Sequence, residues 1–232
     1  MIQFIPCKSS KGLEKTDDII YLDDKCGNSM AKKYNYAIKN YILDSKDDWF
    51  CFRHLDLHIL TNFDIIKYQL SEFAKNNVFI AGLIGTYALE PSCIWWNPFR
   101  ECNGAGHIKQ SVLDTNGKPI QPQQTYDMND WPGIHEGLAS IDGCCMFINR
   151  KIFEMGIRFD ENLKGFHFYD SDFCLQCLQN KLKIGIVNVD AIHDSAGKMP
   201  PEFGEYQKNM FDKWNSKVSV WPITRYTKFV NV

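Results

Sequence analysis

Strand-like and helix-like stretches alternate through the first 85 residues, and this alternation restricts the possible folds more than any other feature. The residue patterns predict, in chain order, a strand at 2–6, a strand at 18–22, a helix at 29–43, a strand at 48–60, a helix at 61–75 and a strand at 77–85. Strands that alternate with helices form a parallel sheet covered by helices. We therefore predict an α/β fold with ligands at the carboxyl ends of its strands.

The chain changes character after residue 90. Pro, Gly and Asn cluster between 90 and 136, and Asn116-Gly117 is typical of a hairpin turn. This stretch is expected to be an irregular excursion that carries part of a binding surface. Regular structure is predicted to resume with strands at 140–148 and 184–188 and helices at 150–155, 171–180 and 206–215.

Charge and hydropathy exclude several classes of protein. Lys and Arg total 26 against 28 for Asp and Glu, a net charge of -2, which argues against a dedicated nucleic-acid binder. The longest uncharged apolar-rich stretch, 78–89, is too short to span a bilayer, so we expect no transmembrane segment. No signal-peptide core precedes Lys8. The nine scattered cysteines are therefore expected to be reduced thiols in a cytoplasmic protein.

The segment His54-Leu55-Asp56-Leu57-His58 is the sharpest candidate site. In one continuous strand, the side chains of His54, Asp56 and His58 would share a face. A carboxylate and imidazoles at the end of a parallel strand are suitable ligands for a divalent metal. The alternative is a solvated edge strand with two incidental histidines, and the pattern alone supports both equally.

Two later segments contain further candidate residues. Asp170 precedes a predicted helix in a loop framed by aromatics, where a raised pKa would suit a general base, although an ordinary surface loop fits as well. Asp172 is expected to cap that helix. His193 follows a strand and could complete a metal site, with a purely structural histidine as the alternative.

In order and spacing, these segments together resemble the GT-A fold glycosyltransferases, particularly the family 2-like group. The matching segments are SMAKKYNYAI at 29–38, HLDLH at 54–58, AGLIGT at 81–86, IDGCCMFINRKIF at 141–153, GFHFYDSDFCLQ at 165–176, VNVDAIHDSAG at 187–197 and FDKW at 211–214. The resemblance covers nearly the whole chain. It implies a Rossmann-like, mostly parallel central sheet flanked by helices in a single domain, 1–232, with a nucleotide-binding half at 1–89 and an acceptor-binding half at 90–232.

The resemblance also implies a metal site. In that fold, an acidic DxD-type motif holds Mn²⁺ or Mg²⁺ against the donor diphosphate. Here its place is taken by His54-Leu55-Asp56, or by Asp56-Leu57-His58 as a DxH variant, which also occurs among polypeptide GalNAc-transferases. The strict DxD motif is absent. Asp56, His58 and His193 are the implied metal ligands.

Further roles follow from the resemblance. Asp170 matches the carboxylate that acts as base in inverting members, and Tyr169 replaces the Glu that usually precedes it. The residues implied to line the nucleotide-sugar pocket are Ile5, Pro6, Lys8, Asp24, Ser29 and His54. Sugars pack well on aromatic faces, so an acceptor platform of Trp95, Trp96 and Trp131 is expected, with ordinary loop-anchoring aromatics as the alternative.

The expected function is metal-dependent transfer of a sugar from a nucleoside-diphosphate sugar, with UDP favoured, to a glycan or lipid-linked hydroxyl acceptor in the cytoplasm. Two alternatives remain. A catalytically inactive nucleotide-sugar binding module is supported by the missing DxD. A non-haem Fe(II) oxygenase could use His54, Asp56 and His193 as its facial triad, but such enzymes are generally jelly rolls, which the alternating start of this chain opposes.

Overall fold

The computed structural model describes residues 1–14, 16–96, 104–114, 116, 118–127, 135–163, 165–194 and 199–229. Within them, the strands are β1 (Gln3–Pro6), β2 (Ile19–Leu22), β3 (Trp49–Arg53), β4 (Leu57–Ile59), β5 (Val78–Gly82), β6 (Ile84–Thr86), β7 (Ala88–Leu89), β8 (Gly104–Leu113), β9 (Pro119–Asp127), β10 (His135–Glu136), β11 (Ser140–Ile141), β12 (Cys145–Asn149), β13 (Lys183–Ile186), β14 (Ala191–His193) and β15 (Ile223–Thr224). The helices are α1 (Met30–Ala37), α2 (Phe63–Lys75), α3 (Arg150–Glu154), α4 (Tyr169–Gln179) and α5 (Phe203–Asn215), and a π-helical turn at Ile38–Ile42 continues α1.

The main sheet has seven strands in the order β10-β13-β5-β12-β3-β1-β2. Its β1–β2, β1–β3 and β5–β13 pairs are parallel, as the alternation of strands and helices predicts. However, β12 lies antiparallel between β3 and β5, and β10 is antiparallel to β13, so the sheet is mixed. The reversed β12 brings its amino end beside the carboxyl end of β3, where Cys145 pairs with Arg53.

A second sheet, in the order β11-β6-β8-β14-β4, begins where strands of the main sheet end. The chain passes from β3 to β4, from β5 to β6 and from β11 to β12 at neighbouring points of the same edge. The short turns at 54–56 and 142–144 therefore face each other, and the backbone N–H of His54 donates to the carbonyl of Cys144 at 2.9 Å. This junction between the two sheets positions the site described below.

The strands predicted to run through this junction are shorter in the structure than predicted, because each is divided in two. The strand predicted at 48–60 is two strands, because the chain turns at residues 54–56 and the Leu57 N–H donates to the carbonyl of His54. The strand predicted at 140–148 is likewise divided into β11 and β12, and the one at 77–85 into β5 and β6. Each of these sequence runs stays apolar along its length because the strands of both sheets are largely buried. Its first and second parts nevertheless pair with strands of different sheets.

The middle of the chain is more regular than its composition predicts. Strands β8 and β9 form an antiparallel hairpin, so an irregular excursion was wrong for that part. The turn predicted at Asn116 is confirmed, because its N–H donates to the Asp114 carboxylate at 2.8 Å and the Asp114 N–H donates to the Lys118 carbonyl.

The helix starts follow local signals in two cases and depart from them in a third. The Ser29 hydroxyl caps α1 and the Asn62 amide oxygen caps α2. Helix α4 begins at Tyr169, and no side chain caps its N-terminus. Asp172 as the cap was wrong, because its buried carboxylate accepts from Trp214 Nε1 at 2.8 Å and pairs with Lys213 at 2.5 Å.

The core lies between the main sheet and its helices. The largest fully buried side chains are mostly aromatic: Trp214, Tyr34, Phe4, Phe50, Phe52, Phe73, Phe147, Phe153 and Phe173. Each such ring buries a large apolar area and so contributes strongly to the hydrophobic stabilisation of the core. Among the described helices, none has both the length and the apolar character needed to cross a bilayer.

Candidate active site

Two imidazoles and a carboxylate meet at the junction between the sheets. His54 and Asp56 lie in the turn after β3, and His193 ends β14. Their ligand atoms lie within 4.8 Å of one another, and His193 Nε2 is 3.5 Å from Asp56 Oδ1. The Asp194 N–H donates to the Asp56 carbonyl at 2.9 Å, which ties the two segments together. The donor set of two histidines and one carboxylate suits a divalent first-row metal.

The burial of this group tests whether a cation fits there. His54 and His193 are 9% and 8% exposed, and Asp56 is partly exposed. The His193 Nε2 atom is buried and makes no hydrogen bond within the described structure, because 3.5 Å to Asp56 is too long for a good one. A buried polar atom without a partner is costly. A cation bound between this nitrogen and the carboxylate would satisfy both, so the residues present fit a divalent metal.

Burial and neighbouring charges shift the pKa of each member of this group. Burial lowers the pKa of His54 to about 4, so this imidazole is neutral at neutral pH. Burial acts to lower the pKa of His193, but the nearby Asp56 and Asp142 carboxylates outweigh it and raise that pKa. Burial acts to raise the pKa of Asp56, but contact with His193 outweighs it and lowers that pKa. Asp56 is therefore ionised and available as an anionic ligand.

His58, an expected ligand, lies apart from this group. It is on β4, with its side chain 57% exposed and its Nε2 3.2 Å from Asp194 Oδ2. It joins neither of the two candidate metal groups that the described residues form. The shared face expected for His54, Asp56 and His58 was wrong, because the turn at 54–56 interrupts the strand alternation on which it depended.

Sequence reasoning missed Asp142. Asp142 and Cys144 form a second candidate metal group with His193, again with ligand atoms within 4.8 Å. Burial raises the pKa of the Cys144 thiol well above its usual range, so this thiol stays protonated and is a poor ligand. The Asp142 carboxylate accepts the Cys144 N–H through Oδ1 at 2.9 Å. One sequence signal was present, since Asp142 is the single charged residue in the apolar run at 138–148.

Asp170 is buried in the first turn of α4, so the surface-loop alternative was wrong. The residue is 8% exposed, and its two carboxylate oxygens accept the N–H groups of Gly143 and Ser171, each at 2.8 Å. Burial, followed by the charge of Asp142, raises the pKa of Asp170 to about 7 in spite of these hydrogen bonds. A carboxyl group with such a pKa can accept a proton near neutral pH.

Lys8 and Asp24 line a cavity at the carboxyl ends of β1 and β2. The cavity has a volume of about 570 Å³, within the range of small-molecule sites. Its lining is Lys8, Ser9, Ser10, Lys11, Gly12, Leu13, Asp23, Asp24 and Lys25. Buried Lys33 donates to Asp24 Oδ1 at 2.8 Å and to the Cys7 carbonyl at 2.6 Å, which fixes one wall.

The other expected nucleotide-pocket residues do not line this cavity. Ile5 is 1% exposed and belongs to the core. Pro6 ends β1 and is partly buried. Ser29 is engaged as the cap of α1, with its hydroxyl accepting the Lys32 N–H. His54 belongs to the metal group instead.

The expected acceptor tryptophans differ in their exposure. Trp95 is buried, whereas Trp96 is only partly buried and packs edge-on against it, with ring centroids 5.8 Å apart. Trp96 also lies 6.2 Å from the Phe203 ring. Trp131 lies outside the described residues.

An aromatic side chain that sequence reasoning passed over packs against His54 of the metal group. The Phe166 ring is 49% exposed and its centroid lies 4.9 Å from that of His54. Beyond it, the ring of His167 lies 5.1 Å from that of Phe203, which in turn contacts Trp96. A row of rings thus leads from the metal group to Trp96.

Comparison with known proteins agrees with this architecture. A family model described as "Glycosyltransferase like family" matches residues 10–214. Among solved structures, GalNAc-T7 with UDP, GalNAc and Mn²⁺ matches with a TM-score of 0.53 and 9% identity, covering 86% of this chain and 37% of that one. The crystal structure of A197 from STIV matches with a TM-score of 0.44 and 14% identity, covering 83% and 84%. Among curated proteins, none matches significantly.

These findings decide the fold and the class of protein. The likeness to GalNAc-T7 confirms the GT-A fold predicted from the sequence, and this chain spans 37% of the length of that protein. The mixed α/β fold also opposes the oxygenase alternative, because enzymes of that class are generally jelly rolls. That alternative would use the same three metal ligands. The family model spans most of the chain, and this protein therefore belongs to the glycosyltransferase-like family.

Proposed function

We propose that this chain transfers a sugar from a nucleoside-diphosphate sugar, with UDP as the favoured nucleotide, to a hydroxyl group of a glycan or lipid-linked acceptor, with Mn²⁺ or Mg²⁺ as cofactor and inversion at the anomeric carbon. The observation that carries the proposal is the convergence of His54, Asp56 and His193 on one point at the sheet junction. A GT-A relative that binds UDP, GalNAc and Mn²⁺ supports the same chemistry.

The cavity beyond β1 and β2 is the proposed nucleotide site. Ligands of open α/β sheets bind outside the carboxyl ends of the strands, which is where this cavity lies. Lys8, Lys11 and Lys25 give its wall positive charge that suits a diphosphate, and the Asp24 carboxylate offers an acceptor for ribose hydroxyls. The division into a nucleotide half, 1–89, and an acceptor half, 90–232, stays a prediction, and metal ligands are proposed from both halves.

The proposed metal ligands are His54, Asp56 and His193. When bound, a divalent cation neutralises the negative charge that develops on the departing diphosphate. As ligands, the two imidazoles would be neutral and the Asp56 carboxylate anionic, so His193, whose pKa is raised, would release a proton when the cation binds. His58 is proposed to stay outside the ligand set, since its side chain pairs with Asp194.

Asp170 is the proposed general base. Its carboxylate would take the proton of the acceptor hydroxyl while that oxygen forms a bond to the anomeric carbon. The bond between that carbon and the diphosphate oxygen breaks, and its electron pair leaves with the nucleoside diphosphate. A carboxyl group with a pKa of about 7 is matched to this task near neutral pH, and such proton transfer typically contributes about 10²- to 10⁴-fold in rate.

The acceptor is proposed to bind over the row of rings beside the metal group. Trp96 is the better of the two described tryptophans for this role, because Trp95 is buried in the core. Trp131 remains a predicted contact. The cytoplasmic location also stays a proposal, supported by the free thiols of the described cysteines.

The test is the release of nucleoside diphosphate from a panel of UDP-, GDP- and dTDP-sugars, with Mn²⁺, with Mg²⁺ and with chelator. We expect turnover with UDP-sugars that requires metal and is lost in Asp56→Ala. Asp194→Ala is the matched control, since this carboxylate lies next to the group but pairs with exposed His58. Metal-independent nucleotide binding without turnover would instead favour the inactive binding module. A product that retains the anomeric configuration would remove the role of Asp170 as base.

A further inference from the structure

Tyr169 contacts the candidate metal group from the interior of the protein. Its hydroxyl oxygen lies 2.8 Å from His54 Nε2 and 2.9 Å from the carbonyl oxygen of Gly143. Tyr169 is 5% exposed and His54 is 9% exposed. Both contacts are therefore shielded from solvent, where each polar atom needs a partner.

The hydroxyl has one proton to donate, and this fixes the direction of both hydrogen bonds. The Gly143 carbonyl can only accept, so the Tyr169 proton is donated to it. The Tyr169 oxygen must then accept a proton from His54 Nε2. A neutral imidazole holds one ring proton, so a proton on Nε2 leaves the lone pair on Nδ1. A ring nitrogen that carries a proton cannot bind a metal.

We infer that Tyr169 is a positioning residue, which holds His54 in its Nε2–H tautomer and so leaves Nδ1 as the nitrogen that binds the cation. The inference rests on the proposed function, because it assumes that His54 is a metal ligand. Metal-binding histidines generally donate their other N–H group to a fixed partner, which sets the tautomer and the ring orientation. Here a tyrosine hydroxyl supplies that partner.

The surroundings of Gly143 show that this contact is built into the site. A Cβ atom at position 143 would lie 2.3 Å from the Tyr169 hydroxyl oxygen, so only glycine leaves room for it. The N–H group of the same glycine donates to Asp170 at 2.8 Å. Gly143 therefore accepts a hydrogen bond from Tyr169 through its carbonyl and donates one through its N–H to the carboxylate proposed as base.

The experiment combines nitrogen NMR of the metal-free protein with metal titration. In protein labelled with ¹⁵N-histidine, His54 is assigned by the loss of its signals in His54→Asn. We expect wild-type His54 to show a protonated Nε2 and an unprotonated Nδ1, and Tyr169→Phe to show a mixture of tautomers. Mn²⁺ affinity, measured from the electron paramagnetic resonance of the free ion, should fall about 10- to 100-fold in Tyr169→Phe.

Tyr206→Phe is the matched control, since it removes a hydroxyl from α5 without a described contact to the metal group, and its Mn²⁺ affinity should equal that of the wild type. Unchanged affinity in Tyr169→Phe, or an Nδ1–H tautomer in the wild type, would overturn the inference and leave the proposed function intact. A wild type that binds no Mn²⁺ would overturn the proposed metal site and the inference with it. The wild-type tautomer is measurable even if Tyr169→Phe does not fold.

Discussion

The buried carboxyl of Asp170 makes the stability of this protein depend on pH in a calculable way. Its pKa is about 7 in the folded protein, against an ordinary value of 3.8 that the unfolded chain restores. An acid whose pKa is raised by folding contributes stability that is fully present below about pH 4 and is lost as the pH rises to about 7. About three pKa units at about 1.4 kcal/mol each give a total loss on the order of 4 kcal/mol.

The perturbation is Asp170→Asn, which removes the ionisation and keeps the size of the side chain. The amide oxygen of the new side chain can accept one of the two N–H groups that Asp170 binds, from Gly143 and Ser171, but its NH₂ group then faces the other donor. This mismatch costs about 1–3 kcal/mol at every pH. Between about pH 5 and pH 8 the wild type loses about 2–3 kcal/mol that the variant does not lose. The free energy of unfolding of the variant, relative to that of the wild type, should therefore rise by that amount between about pH 5 and pH 8.

The assay is urea unfolding of both proteins without metal at about pH 5, 6.5 and 8. Asp212→Asn, an exposed carboxylate paired with Lys208, is the control and should show no such shift. At about pH 8, transfer by Asp170→Asn should also fall about 10²- to 10⁴-fold if this residue is the base. A difference in stability that stays constant across this range would refute the raised pKa. Full transferase activity in the variant would refute the catalytic role.

Three further substitutions test other parts of the site. His193→Ala should weaken Mn²⁺ binding at least about 100-fold in a calorimetric titration while His58→Ala changes it little, and equal losses would contradict the proposed ligand set. Gly143→Ala forces a methyl group against the Tyr169 hydroxyl and should lower the free energy of unfolding in urea by about 1–3 kcal/mol. An unchanged urea midpoint would show that this close contact is not present. Lys33→Met removes the hydrogen bonds that Lys33 donates to the Cys7 carbonyl and to Asp24, so it should lower the free energy of unfolding by about 1–3 kcal/mol and weaken UDP binding. An unchanged UDP affinity would place the nucleotide outside this cavity.

Features that depend on a few neighbouring residues could be predicted from the sequence. Ser29 and Asn62 cap the helices that follow them, because a short polar side chain before an apolar periodic run satisfies free N–H groups wherever the helix packs. The hairpin turn at Asn116 has the same local origin. The α/β fold was predictable for a related reason, since alternating strands and helices leave few arrangements open.

The points at which strands change sheets could not be predicted. The runs at 48–60 and 140–148 stay apolar across the junction, so their hydrophobic pattern contains no signal for the turns within them. As a result, His54 and Asp56 were identified for the wrong physical reason. They converge because a turn brings them together with His193, which lies far along the chain from Asp56 and reaches it through the pairing of β14 with β4.

The residues that tune the site were harder to find than those proposed to perform the chemistry, because their effect depends on burial. Tyr169 lies in an aromatic run that predicts packing, and only the fold shows its hydroxyl between His54 and Gly143. Asp142 is one of 28 acidic residues in the chain, yet its charge raises the pKa of both Asp170 and His193 because it lies partly buried beside them. Since the same turn, 142–144, holds Asp142 and Gly143, a single loop at the sheet junction contributes, after burial, to the pKa of both the proposed base and the proposed metal ligand His193. Substitutions in that loop should therefore change the pH dependence of transfer more than its nucleotide specificity.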